Sequence, residues 1–226
     1  MSAARLKREI KTGITKLYPV EPGDAMMLKM MSAGIEADLN EVESFYEQAA
    51  SSYNGDPVVL ALNYCIALHS CGATTKALEI LRSSIERFPG ESELYIRAAN
   101  CAAEIAQYTE SVEILQMGLK LKQPLMEDLL LRYHSVASFI DENKISQTSL
   151  RTYLDLLNSL LRKERLVFST QSFGVVTDGD DDWVSNVINT GLPSDQVIDL
   201  NDEWIDLLME ADIDPSINSH FVTRFA

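Results

Sequence analysis

Cysteine, histidine and tryptophan are scarce in this chain, at three, three and two among 226 residues. The cysteine count is odd, and Cys65, Cys71 and Cys101 all fall in helix-patterned segments, which excludes a disulfide-stapled secreted domain and indicates a reducing compartment. Basic residues are also in short supply. Lys plus Arg total 19 against 34 for Asp plus Glu, a formal net charge of −15, so nucleic acid and anionic lipid are disfavoured as partners and a basic protein is favoured. No stretch holds the roughly 18 uninterrupted apolar residues of a membrane-spanning helix. At the start, Arg5, Lys7 and Arg8 stand where a signal peptide needs an apolar core. The expectation is a cytoplasmic protein. What is present is ordinary globular composition, 46% hydrophobic and 23% charged, enough for a sizeable core and one to two domains.

The acidity is uneven. Residues 1–165 carry 18 basic and 22 acidic side chains, net −4, whereas residues 166–226 carry one and twelve, net −11. Arg224 is the single cation of that tail, while the opening segment holds Arg5, Lys7, Arg8, Lys11 and Lys16 against Glu9 alone. Ends of opposite sign favour head-to-tail association, so a homo-oligomer is one expectation, but an attraction screened by salt does little to hold a fold. The same opening segment has Leu6, Ile10, Ile14 and Leu17 on one side, and packing against neighbouring helices is its expected role.

Internal repetition organises the first half. Val42, Ala77 and Ser111 align at spacings of 35 and 34; Tyr46, Leu81 and Leu115 follow four residues later, and Ala50, Ile85 and Leu119 four after that. Each column continues one apolar stripe along a helix. A preceding helix is marked by Val59, Leu62, Ile66 and Ala67 before Gly72, and by Leu94, Ala98, Ala99, Ala102 and Ile105 in the next unit. Each unit is therefore expected to be a helical hairpin. Pro57, Pro89 and Pro124 punctuate the junctions, and small residues such as Ala77, Ala98, Ala99, Ser84 and Gly118 sit where two helix backbones would come closest.

A 34-residue period with Gly72, Ala77, Leu81 and Pro89 in the unit Val58 to Glu91, and Tyr95 in the next, resembles the tetratricopeptide repeat over roughly residues 26–124. Cys65 and Ala99 replace the usual first-helix glycine, and Ala61 the usual aromatic. The resemblance implies a mainly α protein: an α-α solenoid of hairpins at about 26–57, 58–91 and 92–124, with helices over 125–164 capping its open end. It also implies that peptides are read from first-helix residues, here Asn63, Ile66, His69 and Ser70, then Ile96, Arg97, Asn100 and Glu104. Members that clamp a C-terminal carboxylate use lysines, asparagines and an arginine at fixed places. Asn63 and Arg97 occupy two of these, but Met27, Met31 and Glu93 occupy the others, so recognition of that type is not expected.

From Leu166 the period changes. Two β-rich runs flank Asp-Gly, then Pro193 and Ser194 open a helix whose stripe is Val197, Leu200, Trp204, Leu207, Leu208 and Ala211, and His220 to Phe225 follows as a third strand. Residues 166–226 therefore read as a small acidic α+β module, ββαβ, separate from a helical domain at 1–165. Asp178, Asp180, Asp181 and Asp182 at the hairpin tip, with Asp199, Asp202 and Asp206 on the helix, form its candidate surface for a basic partner.

Catalytic chemistry lacks a basis here. No nucleophile elbow, paired Cys/His or phosphate-binding glycine loop is present. The Asp178–Asp182 run has Trp183 and Asn189 where a calcium loop needs glycine and glutamate, and Cys65, His69, Cys71 and Cys101 do not have zinc-motif spacing, so no metal or other cofactor is expected. The reading is a non-catalytic interaction protein, an adaptor, scaffold or chaperone-like module that binds a protein or peptide. Two alternatives remain open: an immunity- or antitoxin-like protein that neutralises a basic partner, and a small metal-dependent C-terminal domain that the solenoid targets.

Overall fold

A computed structural model of the chain describes residues 11–166, 170–178, 181–211 and 213–226. It is mainly helical, with a three-stranded sheet near the C-terminal end. Two compact units divide the chain, Met1–Cys101 and Ala102–Ala226.

In the first unit residues 11–17 are helical. Then come α1 (Pro22–Ile35), α2 (Leu39–Ser52), α3 (Pro57–Ser70) and α4 (Thr74–Arg87), and α5 (Ser92–Glu104) begins here and runs past the division. Local chemistry sets these starts. Asp38 accepts a hydrogen bond from the Glu41 N–H at 3.0 Å and Asp56 from the Val58 N–H at 2.8 Å, so each caps a helix, and Pro57 takes the first turn of α3, where its missing N–H costs nothing. The stops are also local. Ala37, Gly72 and Ala106 all have left-handed backbone, with φ of 58°, 79° and 65°. At each, the following N–H reaches back to a carbonyl of the last helical turn: Asp38 to Ala33, Ala73 to Leu68 and Gln107 to Ala102. Each is a helix-ending Schellman motif, and Lys144 and Arg165 repeat it further along the chain.

The expected registers are largely visible in this burial. Val42, Ala77 and Ser111, each five residues beyond a left-handed turn residue, are fully buried, as are Leu81 and Leu115. The third column slips in the first unit: Ala50 is exposed and Ala49 is buried in its place. α3 also departs from its expected stripe. Val59 is exposed, and Val58, Leu60, Ala61, Tyr64, Cys65, Ala67 and Leu68 are buried, because α3 packs on α1, α2 and α4 and so is apolar on several sides. Small residues permit these approaches. The Cys65 thiol lies 3.5 Å from the Ala77 carbonyl, and a Cβ on Gly34 would stand 2.9 Å from Cα of Ala67. The Tyr46 and Tyr64 rings stack at 3.7 Å, with Lys76 and Glu43 ion-paired nearby, and Lys29 lies over both Tyr18 and Phe45.

The second unit contains α6 (Tyr108–Gly118), a 3-10 turn (Leu119–Leu121), α7 (Pro124–Glu142), α8 (Gln147–Lys163), β1 (Thr170–Asp178), β2 (Asp181–Asn189), α9 (Ser194–Glu210), α10 (Pro215–His220) and β3 (Phe221–Phe225). β1 pairs antiparallel with β2, with Asp178 opposite Asp181. β3 lies parallel to β2 on the other side, Val184 opposite Phe221 and Ile188 opposite Phe225. The expected third strand is present but starts one residue later, since His220 ends the additional helix α10.

The two compact units thus meet between Cys101 and Ala102, while the charge changes after Arg165. Long-range aromatic contacts explain why. Tyr133 of α7 stacks on Phe173 of β1 at 5.2 Å, and Tyr108 lies 6.1 Å from Tyr133. Tyr153 of α8 meets Trp204 edge-on at 5.2 Å and packs by Phe221 at 6.0 Å. Of the helices that follow the last hairpin, α7 packs on α6, and α7 and α8 also cover one face of the sheet, whose inward residues include Val184, Ile188, Phe221, Thr223 and Phe225. At the end of α5, Gln147 and Arg151 of α8 donate to the Ala106 and Ile105 carbonyls, each at 3.4 Å, and so satisfy groups that a helix end leaves open.

Side chains close the outer edge of β3. Phe221 N–H donates to the Ile217 carbonyl. The Tyr153 hydroxyl donates to Thr223 Oγ1 at 2.8 Å and is also held by the Thr223 backbone. Asn201 of α9 accepts from the Phe225 N–H at 3.0 Å and donates to the Phe225 carbonyl at 3.1 Å, imitating one rung of a ladder.

Candidate interaction surfaces

The first-helix residues expected to read a peptide do not form one open row. Ser70 is buried, its hydroxyl donating to the Ile66 carbonyl at 2.9 Å, and Ile96 is buried in the core. Both are therefore removed from a peptide-facing surface. Asn63, Ile66, His69 and Asn100 are half-buried, and Arg97 is exposed in an ion pair with Glu93 at 3.3 Å, one helical turn away. Asn63 Nδ2 donates to the Met27 sulfur at 3.3 Å, tying α3 to α1. Of the four methionines near the start of that surface, Met26 and Met30 are core residues, and Met27 and Met31 are half-buried. Glu104 is half-buried and belongs to the second unit.

Burial pushes the Cys65 thiol up to about 12, with the Arg97 charge pulling weakly the other way, and burial also raises Cys71. In the second unit burial raises the Tyr108 phenol and takes Tyr153 to about 12 against the opposing Thr223 hydrogen bonds.

The acidic surface is built from two elements. Asp178, Asp181 and Asp182 are exposed at the hairpin end, and Asp180 lies outside the described residues. Asp199, Asp202 and Asp206 are exposed on α9, together with Asp195 and Glu210. Among the described residues no group of three or more His, Cys, Asp or Glu is gathered as a metal site. No described helix is long and apolar enough to cross a membrane.

α9 carries a feature that the sequence reading passed over. Its buried face is Leu200 and Trp204, as expected, with Leu207 and Leu208 half-covered. A second apolar row, Ile198, Ile205 and Met209, is 61%, 52% and 79% exposed. At about 100° per residue this row lies between Asn201, which faces β3, and the carboxylates of Asp195, Asp202 and Asp206. Glu203, on the opposite flank, pairs with Lys163 of α8, which raises the lysine's pKa. A cleft of about 300 Å³ opens beside the row. Ile205, Leu208 and Met209 form one wall, Asn218 and Val222 the other, and Tyr153, Trp204 and Phe221 the floor. The spacing i, i+7, i+11 was the available signal, hidden because acids alternate with these apolar residues.

Comparison of the chain with protein-family models, with curated proteins and with solved structures gives no match.

Proposed function

We propose that this chain is a non-catalytic protein-interaction module, an adaptor or chaperone-like protein built on a tetratricopeptide-like arrangement of helical hairpins. The observation that carries the reading is the recurrence of one turn: left-handed residues at 37, 72 and 106, each followed five positions later by a fully buried residue. Evenly recurring hairpins are the unit from which extended protein-binding surfaces are made. In the first unit the open positions on the leading helices, Asn63, Ile66, His69, Arg97 and Asn100, supply mixed polar and apolar contacts. The second unit supplies an acidic surface, which favours a basic partner and a place among neutralising proteins of the immunity or antitoxin kind as the second reading. Three free thiols support a reducing compartment, the cytoplasm.

The test is affinity capture with the full chain as bait, compared with two variants: Asn63→Ala/Arg97→Glu, and Asp199→Asn/Asp202→Asn/Asp206→Asn. A partner retained by the parent and lost by either variant supports the module reading. If both variants recover the same proteins as the parent in the same amounts, the assignment of these surfaces fails.

A further inference from the structure

We propose that the cleft between α9 and β3 receives the apolar face of a cationic amphipathic segment from a partner protein. The proposal rests on the interaction-module reading and gives it a specific place. The cleft presents Ile205 and Met209 on one wall and Val222, 45% exposed, on the other, above a floor containing Trp204 and Tyr153. Exposed aliphatic groups in a row beside an aromatic floor suit anchoring side chains at helical spacing. The walls are open, which fits a chain lying along a ridge better than an enclosed small molecule.

Charge selects the occupant. Next to the apolar row come Asp195, Asp202 and Asp206, then Asp199 and Glu210, and α9 itself has no lysine or arginine. Lys163 of α8 is engaged with Glu203 on the other flank, and Arg224 shares the face of β3 that bears Val222, one cation against the five exposed carboxylates of α9. An incoming segment with lysines or arginines flanking its apolar stripe would bury Ile205 and Met209 while its cations meet the carboxylates. A second copy of the same face would set one carboxylate row against another, and an anionic membrane would be repelled. Rim ion pairs in water are individually weak, so the apolar anchors should dominate affinity and the carboxylates should set charge selectivity and salt dependence.

The experiment uses the full chain and a synthetic 18-residue peptide with leucines along one helical face and lysines on the other. Controls are a scrambled peptide of the same composition and one with glutamate for lysine. Titration followed by methyl NMR should shift the Ile205 and Met209 signals, and Ile205→Asp and Met209→Asp should each weaken binding by about tenfold or more. Asp202→Asn/Asp206→Asn should weaken it by about threefold to tenfold and flatten its salt dependence. Both anchor positions are exposed, and circular dichroism verifies that the variants remain folded. The proposal is overturned if the scrambled peptide binds equally, if the anchor variants leave binding unchanged, or if sedimentation shows a dimer that Ile205→Asp dissociates. Loss of binding on Asn63→Ala/Arg97→Glu, with the anchor variants unaffected, would overturn this cleft and leave the repeat-surface reading in place.

Discussion

The two units share one way of ending a helix and differ in what else holds their polar groups. In both, left-handed turns return N–H groups to the helix they end, and the first unit also has close helix contacts that only small residues permit. The second adds side chains that act as backbone, with Asn201 pairing to Phe225 and Tyr153 to Thr223. Backbone solutions recur with a period and can be read along the chain. Side-chain solutions link residues 24 and 70 positions apart and leave no period.

Substitutions can test that contrast. The largest effect is expected at Gly23, where an added Cβ would stand 2.4 Å from Cα of Tyr53, a backbone atom that cannot simply rotate away. Gly23→Ala should cost about 3 kcal/mol in urea unfolding. A cost below about 1 kcal/mol would show that backbone proximity does not limit this unit. In the second unit Asn201→Ala should cost about 2 kcal/mol and Tyr153→Phe about 1 kcal/mol, because each leaves partners on β3 without their bond. Hydrogen exchange should then quicken at Phe225 in the first variant, and unchanged protection there would break the proposed closure.

Smaller effects probe the turns. Gly72→Ala should destabilise by about 1 kcal/mol, while Ala37→Gly and Ala106→Gly should stabilise by ~0.5 kcal/mol, since all three positions hold positive φ. Opposite signs at equivalent turns would be the signature of a shared motif, and equal signs would separate them. The smallest effect concerns acid. Asp214 accepts the Ser216 N–H at 2.9 Å, and this backbone bond lowers its pKa below the usual carboxylate value. Its contribution is therefore present above the unfolded pKa and lost as pH falls through the folded one. Asp214→Asn should reduce the slope of stability against pH on the acid limb, measured by thermal unfolding between pH 2 and pH 5 on the order of the carboxylate range.

The helices up to α6 were legible because hairpin turns recur and buried residues keep step with them, as Val42, Ala77 and Ser111 do. Phase was lost on α3, where neighbours on several sides make nearly every position apolar and no single stripe exists. For the same reason Ser70, on α3, seemed open from spacing and is buried, and Ile96 on α5 is buried as well. The boundary at Arg165 was read from the change of period and of charge, both local properties, whereas the contacts that join α7 and α8 to the sheet are long-range and run through Tyr133, Phe173 and Tyr153. The exposed row on α9 escaped because one helix carries two apolar faces, and the longer one, centred on Trp204, accounted for the pattern alone.

The closed rim of β3 limits how evolution can use this protein. With the N–H groups of Phe221 and Phe225 and the Phe225 carbonyl already engaged, few rungs are left for an intruding strand, which disfavours sheet extension from that side. A partner docking as proposed would then be selected by shape and charge, properties that one substitution can retune without disturbing the scaffold beneath.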